Sequence, residues 1–145
     1  MTPLDLAALV ALLNPVHGTP GEHKAIARAA VDACVDEGEW AGEECPLVLL
    51  ALAREESGLR AAPGRRWGAG PWQLQPGRPF RWRGVKVRVP KAVELEHPEF
   101  AAKWALRVLE TKWRWCEGRR DRWRCAMTVW NSTPKAASFA RRVMR

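Results

Sequence analysis

The amino-acid sequence predicts a mainly α-helical domain with a minor β-hairpin, and three features lead to this fold class. The chain has 145 residues, of which 47% are hydrophobic, and this is enough for one domain with its own core. Most segments carry the apolar pattern of helices. One short segment instead alternates between apolar and basic residues, as hairpins do. Because no repeat or linker divides the chain, we expect residues 1–145 to form a single domain.

Most of the predicted helices have start and stop residues of the expected kind. Thr19 can begin the second helix, Gly38 can end it, and Gly58 suits the C-terminal cap of the third. The third helix is apolar on nearly every face, so we expect it to be central. Glycine, proline and arginine predict irregular structure over 60–79, and Phe80–Val89 is the predicted hairpin. The predicted helices are Pro3–Leu13, Gly21–Glu37, Pro46–Ser57, Pro98–Trp115, Asp121–Trp130 and a last one that starts at Pro134.

Charge and composition limit the possible partners only broadly. A formal net charge of +8 attracts polyanions, and nucleic acid, acidic cell-wall polymers and anionic membranes fit equally well. The nine tryptophans suit both stacking on sugar rings and packing in a core. The apolar segment Met1–Leu13 is too short to span a bilayer and lacks the basic start of a signal peptide. We therefore expect neither a membrane-spanning segment nor a signal peptide.

The four cysteines form two local pairs, Cys34 with Cys45 and Cys116 with Cys125. Their spacing is not that of a zinc site, so we expect no metal, and no motif indicates a cofactor. Each pair spans a predicted corner between two helices, where the Cα atoms can come within disulfide range. Two disulfides in an oxidising compartment and four buried thiols in a reducing one both fit this pattern.

Glu56 is the candidate catalyst. It lies in the last turn of the apolar third helix, and Trp72-Gln73 follows in a glycine-rich loop. The negative end of the helix dipole and an apolar setting both disfavour an ionised carboxylate, so we expect the pKa of Glu56 to be raised. A general acid needs such a pKa at neutral pH. Helical phase does not distinguish Glu56 from Glu55, and the alternative is a glutamate pair that only solvates the helix end.

Four motifs support a family resemblance. They are Glu56-Ser57-Gly58, the loop Gly68–Gln73 (GAGPWQ), the segment Leu95–Leu109 (LEHPEFAAKWALRVL) and Val129–Pro134 (VWNSTP). In this order they resemble the motifs of the lytic transglycosylase and goose-type lysozyme family of peptidoglycan-cleaving enzymes. The family's usual residues differ at four positions, where this chain has Pro71, Trp72, Trp130 and Thr133. The resemblance covers about Pro46 to Pro134 and implies a lysozyme-like helical fold.

The resemblance implies a reaction for Glu56. It would protonate the glycosidic oxygen between N-acetylmuramic acid and N-acetylglucosamine, and then act as base while the sugar's own 6-hydroxyl attacks, which gives a 1,6-anhydro product. A hydrolase with two carboxylates needs a second acid about 5–9 Å away. No Asp or Glu lies between Glu56 and Gln73, which favours single-acid chemistry. A hydrolytic muramidase on the same scaffold is the alternative.

The resemblance also implies substrate-binding residues. Gln73 and Asn131 would donate and accept hydrogen bonds near the acid. Trp72 and Trp130 would form apolar walls of the groove and desolvate the acid. Ser57 would orient the substrate or, equally well, bond to the helix backbone.

The sequence therefore predicts a monomeric enzyme that acts on peptidoglycan glycan strands, with acidic envelope polymers as partners of its basic surface. A non-catalytic module that binds cell wall or nucleic acid is the alternative from another class, and nucleic acid is the less expected partner. The site of action would be the bacterial cell wall, in the periplasm or outside the cell. Without a signal peptide, delivery would be as a phage lysin, with a virion or by a dedicated secretion machine.

Overall fold

The computed structural model describes residues 17–65 and 68–130. Over these ranges the chain forms helices and one two-stranded antiparallel sheet, which confirms the mainly α-helical class with a minor β-hairpin. The predicted helix Pro3–Leu13, the predicted helix from Pro134 and the candidate site residue Asn131 lie outside the described residues. The elements are α1 (Pro20–Glu37), a 3₁₀-helix (Glu39–Glu44), α2 (Cys45–Ser57), β1 (Pro79–Trp82), β2 (Val85–Arg88), α3 (Ala92–Leu95), α4 (Pro98–Trp115) and α5 (Arg122–Trp130).

Local hydrogen bonds explain why the predicted helix ends are close to the observed ones. At the start of α1 the hydroxyl of Thr19 accepts from the Glu22 N–H at 3.2 Å, and the Thr19 N–H donates back to the Glu22 carboxylate at 3.0 Å. At the end of α2, Gly58 has φ 63° and donates its N–H to the Arg54 carbonyl, as glycine at this position commonly does. Asp121 accepts from the Arg124 N–H at 3.0 Å and caps α5.

Two short elements were not predicted, the 3₁₀-helix and α3. The 3₁₀-helix is interrupted at Gly42, whose φ is 68° and ψ −156°, so it has no regular apolar pattern. The four residues of α3 make about one turn, which is too few to show a helical period. Its start is fixed locally, because the Lys91 N–H donates to the Glu94 carboxylate at 3.2 Å.

The core lies around α2, as predicted. Leu49, Leu50 and Leu52 are 0% exposed on different faces of this helix, and burying each such side chain contributes about 1.5–3 kcal/mol. Helix α1 packs on both α2 and α4, and α4 also contacts α5 and the hairpin. The long amphipathic α4 therefore connects the hairpin to the helical core.

Both candidate disulfides are present, and no cysteine is free. Cys34–Cys45, the N-terminal disulfide, joins α1 to the first residue of α2. Cys116–Cys125, the C-terminal disulfide, joins the residue after α4 to α5. The Cα atoms are 5.9 Å apart in each pair. The two helix corners therefore bring the local pairs into bonding range, which confirms the disulfide alternative over four reduced thiols.

One buried carboxylate holds the hairpin against α4. Glu110 is 1% exposed and accepts from the Trp82 indole N–H at 3.0 Å, from Arg83 Nε at 3.0 Å and from Arg114 Nε at 2.9 Å. The guanidinium of Arg107 lies 4.2 Å from the centre of the Trp82 ring, within the range of a cation–π contact.

Among the described residues, no helix is long and apolar enough to cross a membrane.

Candidate active site

Glu56 lies where the buried face of α2 reaches the surface. It follows Leu49 by seven residues and Leu52 by four, so the three side chains share one helix face. Both leucines are 0% exposed. Glu56 as a whole is half-buried, and its Oε1 atom is buried. The carboxyl group therefore stands at the boundary between the core and the solvent.

Glu55 has a different environment. Its carboxylate accepts from Arg54 Nη1 at 3.1 Å, and its side chain is 16% exposed. The preceding arginine therefore already neutralises the Glu55 carboxylate. The structure thus shows an ion pair for Glu55 and a buried carboxyl oxygen for Glu56.

The loop that carries the second motif is fixed to α2 at Leu49, about two turns before Glu56. The Trp72 indole N–H donates to the Leu49 carbonyl at 2.8 Å, about 10 Å along the helix axis from Glu56. Ala69 and Leu74 pair across the loop with N–H to carbonyl distances of 2.9 and 3.2 Å. On its other side the loop packs against α3, because a Cβ on Gly70 would lie 1.9 Å from the Leu95 carbonyl oxygen.

Gln73 follows Trp72 and supports the loop itself. Its side-chain Nε2 donates to the Gly70 carbonyl at 3.0 Å and to the Gly64 carbonyl at 3.4 Å. Its backbone has φ 49°, which is uncommon for a residue other than glycine. The amide donors predicted for substrate are therefore engaged with carbonyls of the same loop.

Ser57 has the structural role that the sequence left open. It is 2% exposed, and its hydroxyl donates to the Ala53 carbonyl at 2.9 Å. The hydroxyl oxygen also accepts from the Arg60 N–H at 3.2 Å. Because its only proton is used within the helix end, the alternative in which Ser57 orients the substrate is not met.

The two predicted tryptophan walls are not open surfaces. Trp72 is 0% exposed and Trp130 is 3% exposed, so neither offers a ring face on which a sugar can stack. The fold uses both rings for packing, and their role as apolar walls beside the acid stays a prediction. Trp130 does border a cavity, on the side of the hairpin.

That cavity has a volume of about 90 Å³ and lies between the hairpin, α4 and Trp130. Its apolar wall is formed by Leu74, Phe80, Val89 and Val108. Arg78 and Lys112 also line it. Sequence reasoning missed both cations; the signal that could have found Lys112 is its position four residues after Val108, on the apolar face of α4.

A second cleft, of about 570 Å³, opens between α1 and the start of α4. Carboxylates dominate its polar lining, which includes Asp32, Asp36, Glu94 and Glu99. Within residues 17–65 and 68–130, no group of three or more side chains is arranged to hold a metal ion. Neither cavity is lined by Glu56.

Comparison of this chain with protein-family models, with functionally characterised proteins and with solved structures found no match. The resemblance of the four motifs to the peptidoglycan-cleaving family therefore stays a prediction. What the structure shows of the candidate site is Glu56, with one buried carboxyl oxygen, and a glycine-rich loop bonded to the same helix at Leu49.

Proposed function

We propose that the protein is a peptidoglycan-cleaving lytic transglycosylase in which Glu56 is the only acid and base. The observation that carries this proposal is the position of its carboxyl group: Oε1 is buried at the end of the most apolar helix, while the residue as a whole stays half-buried. A proton donor to a glycosidic oxygen needs contact with the core and access to a ligand at the same time.

The proposed reaction needs one proton that moves twice. Glu56 gives its proton to the glycosidic oxygen as the bond to the muramoyl anomeric carbon breaks. The 6-hydroxyl of the same sugar then attacks that carbon and returns a proton to Glu56, which leaves a 1,6-anhydro sugar. Two observations support chemistry with one acid: no acidic residue lies between Glu56 and Gln73, and Glu55 is paired with Arg54.

The disulfides and the surface charge support a site of action at the bacterial cell wall. Disulfides persist in oxidising surroundings such as the periplasm and the cell exterior. Exposed cations on the hairpin, including Arg81, Lys86 and Arg88, would attract the chain to an acidic envelope. Delivery by a phage, as a lysin or with the virion, is part of the same proposal.

The test compares Glu56→Gln with the matched control Glu55→Gln in a turbidity assay on purified peptidoglycan. Both changes remove one negative charge from adjacent positions of the same helix turn. We expect Glu56→Gln to lose at least about a hundredfold in rate, which is the usual contribution of a general acid. Glu55→Gln should stay within about twofold of the wild type, because the proposed reaction does not use the Glu55 carboxylate and only the general acid makes the large contribution to the rate. Equal rates for the two variants would overturn the assignment of Glu56.

The products decide between the proposed reaction and its alternatives. Mass spectrometry of the digest should show 1,6-anhydro ends, whereas reducing ends would indicate the hydrolytic muramidase. A non-catalytic module would instead release nothing and bind wall or nucleic acid in a salt-dependent way that Glu56→Gln does not change.

A further inference from the structure

The cavity of about 90 Å³ beside the hairpin is lined by two cations and, among the described residues, by no acid. Arg78 on the loop before β1 and Lys112 on α4 both line it, and no carboxylate does. Neither residue forms an ion pair with a carboxylate of the described part of the chain. Burial lowers the pKa of Lys112, and the charge of Arg78 lowers it further. An anion between the two cations would relieve this repulsion.

A buried hydrogen-bond donor also belongs to the same cavity. Trp130 lines it and is only 3% exposed, and its indole N–H has no acceptor among the described residues. Buried donors without an acceptor are uncommon in folded proteins and indicate a missing partner. Thr111 also lines the cavity, but its hydroxyl oxygen does not accept from this N–H; its single proton is shared between the backbone carbonyls of Arg107 and Arg81 at 3.0 and 3.2 Å.

Apart from Gln75 and Thr111, the rest of the cavity lining is apolar. Leu74, Phe80, Val89 and Val108 form this part of the wall. A volume of about 90 Å³ is several times the roughly 10–15 Å³ that one water molecule needs. A carboxylate with a short apolar stem fits such a space.

We propose that this cavity binds a small carboxylate with a short apolar stem. Arg78 and Lys112 bind the charged group, the Trp130 N–H donates to one of its oxygens, and the apolar wall covers the stem. The peptide stems of peptidoglycan end in amino acids of this kind, and their assignment as the natural ligand rests on the proposed function. The binding of a small carboxylate in this cavity does not depend on the proposed function.

A simpler reading gives Lys112 a packing role only. Its methylene chain would cover the apolar wall while its ammonium group reaches the solvent. A packing role predicts no selective binding of carboxylates, so a titration with a carboxylate distinguishes it from the proposed site.

The experiment titrates the whole chain, with both disulfides intact, with sodium propionate and follows the Trp130 indole N–H resonance by NMR. Propionamide has the same shape without the charge, and sodium chloride at equal ionic strength measures the general salt effect. We expect a saturable shift with propionate at millimolar concentrations, and none with the other two. Equal shifts with propionamide or chloride, or no shift with propionate, would overturn the site.

Variants identify the binding residues. Lys112→Met keeps the length of the side chain and removes its charge, and Arg78→Gln changes an exposed residue whose loss does not threaten the fold. Each should weaken propionate binding at least about tenfold, the order expected for a lost charge-assisted hydrogen bond. The matched control Lys86→Met, on the exposed face of β2, should bind as the wild type does. If Arg78→Gln and Lys112→Met both bound normally, the assignment would be wrong.

A last arm separates this proposal from the proposed function. The Glu56→Gln variant should bind propionate with unchanged affinity, because Glu56 does not line the cavity. N-acetyl-D-alanine should displace propionate, while its amide should not. Failure of this displacement would remove the peptide stem as ligand and leave the carboxylate site standing. A wild-type protein that binds propionate but does not cleave peptidoglycan would count against the proposed function alone.

Discussion

Replacing Glu110 by glutamine should destabilise the protein more than any other single removal of charge on α4. Glu110 is 1% exposed, and its carboxylate accepts from Trp82, Arg83 and Arg114. Glutamine keeps the shape of the side chain but loses the charge. Its NH₂ group replaces one carboxylate oxygen, and this group cannot accept a hydrogen bond from the N–H donors around it. The hairpin would then lose its polar attachment to α4.

The expected loss of stability follows from how exposed the three donor side chains are. The side chains of Arg83 and Arg114 are 47% and 57% exposed, so each ion pair is screened and contributes about 0–1 kcal/mol. The bond from the half-buried Trp82 to a charged acceptor contributes about 1.5–3 kcal/mol. We therefore expect a loss of about 2–3 kcal/mol, which for a domain of this size lowers Tm by about 7–10 °C.

The pH dependence gives an independent check on the same contacts. Burial by itself raises the pKa of Glu110, but hydrogen bonds from Arg83, Trp82 and Arg114 outweigh it and hold the pKa below the ordinary value of 4.5. A carboxyl group with a lowered pKa stabilises the fold above its unfolded-state pKa, and this contribution is lost as the pH falls through the folded-state value. The Tm difference between wild type and Glu110→Gln should therefore be constant at neutral pH and shrink below about pH 4.5.

The assay is thermal unfolding followed by circular dichroism between pH 3 and pH 8. Glu117→Gln is the matched control, because Glu117 is exposed and its change should alter the free energy of unfolding by less than about 0.5 kcal/mol. A Glu110→Gln protein that melts within 2 °C of the control at neutral pH, or a Tm difference that does not change with acid, would refute this reasoning.

Two further predictions concern the backbone and the cross-links. Gly70→Ala should cost about 3 kcal/mol or more, because the new Cβ would lie 1.9 Å from the Leu95 carbonyl oxygen. Gly77 has the same φ of +76°, but a Cβ there would have nothing within 4 Å, so Gly77→Ala should cost only about 1 kcal/mol. If urea unfolding gave similar losses of stability for the two variants, the close contact at Gly70 would be contradicted. Replacing both cysteines of either disulfide by serine should cost about 3 kcal/mol, since the sequence separations are 11 and 9, and a protein whose Tm did not change would argue that the bond does not form in solution.

Helix ends and cysteine pairs were predictable because their causes are local. Thr19 and Glu22 lie three residues apart and cap α1 wherever the helix is placed. Gly58 adopts the left-handed conformation that ends α2, and few other residues do so at low cost. The choice of Glu56 over Glu55 came from the family resemblance of the Glu-Ser-Gly motif, and the structure adds that Glu55 pairs with Arg54.

The environments of the larger side chains were not predictable in the same way. Trp72 and Trp130 occur in motifs that suggest a sugar-binding surface, and yet both are buried. Nothing in the sequence indicates that Glu110 lies beneath the hairpin. It accepts a hydrogen bond from the indole of Trp82, which precedes it by 28 residues in the chain. Such contacts join segments far apart in the chain, so no local pattern of residues records them.

The sequence by itself determined the class of fold, the positions of most helices, the hairpin and the cysteine partners, because hydrophobic period, capping residues and short loop closure all act within one or two turns of chain. Only the tertiary structure decided that the tryptophans of two motifs are covered, that one carboxyl oxygen of Glu56 is buried, and that Arg78 and Lys112 share one cavity. Burial and charge at a site are sums over neighbours from several elements, and those neighbours are known only after the helices have packed.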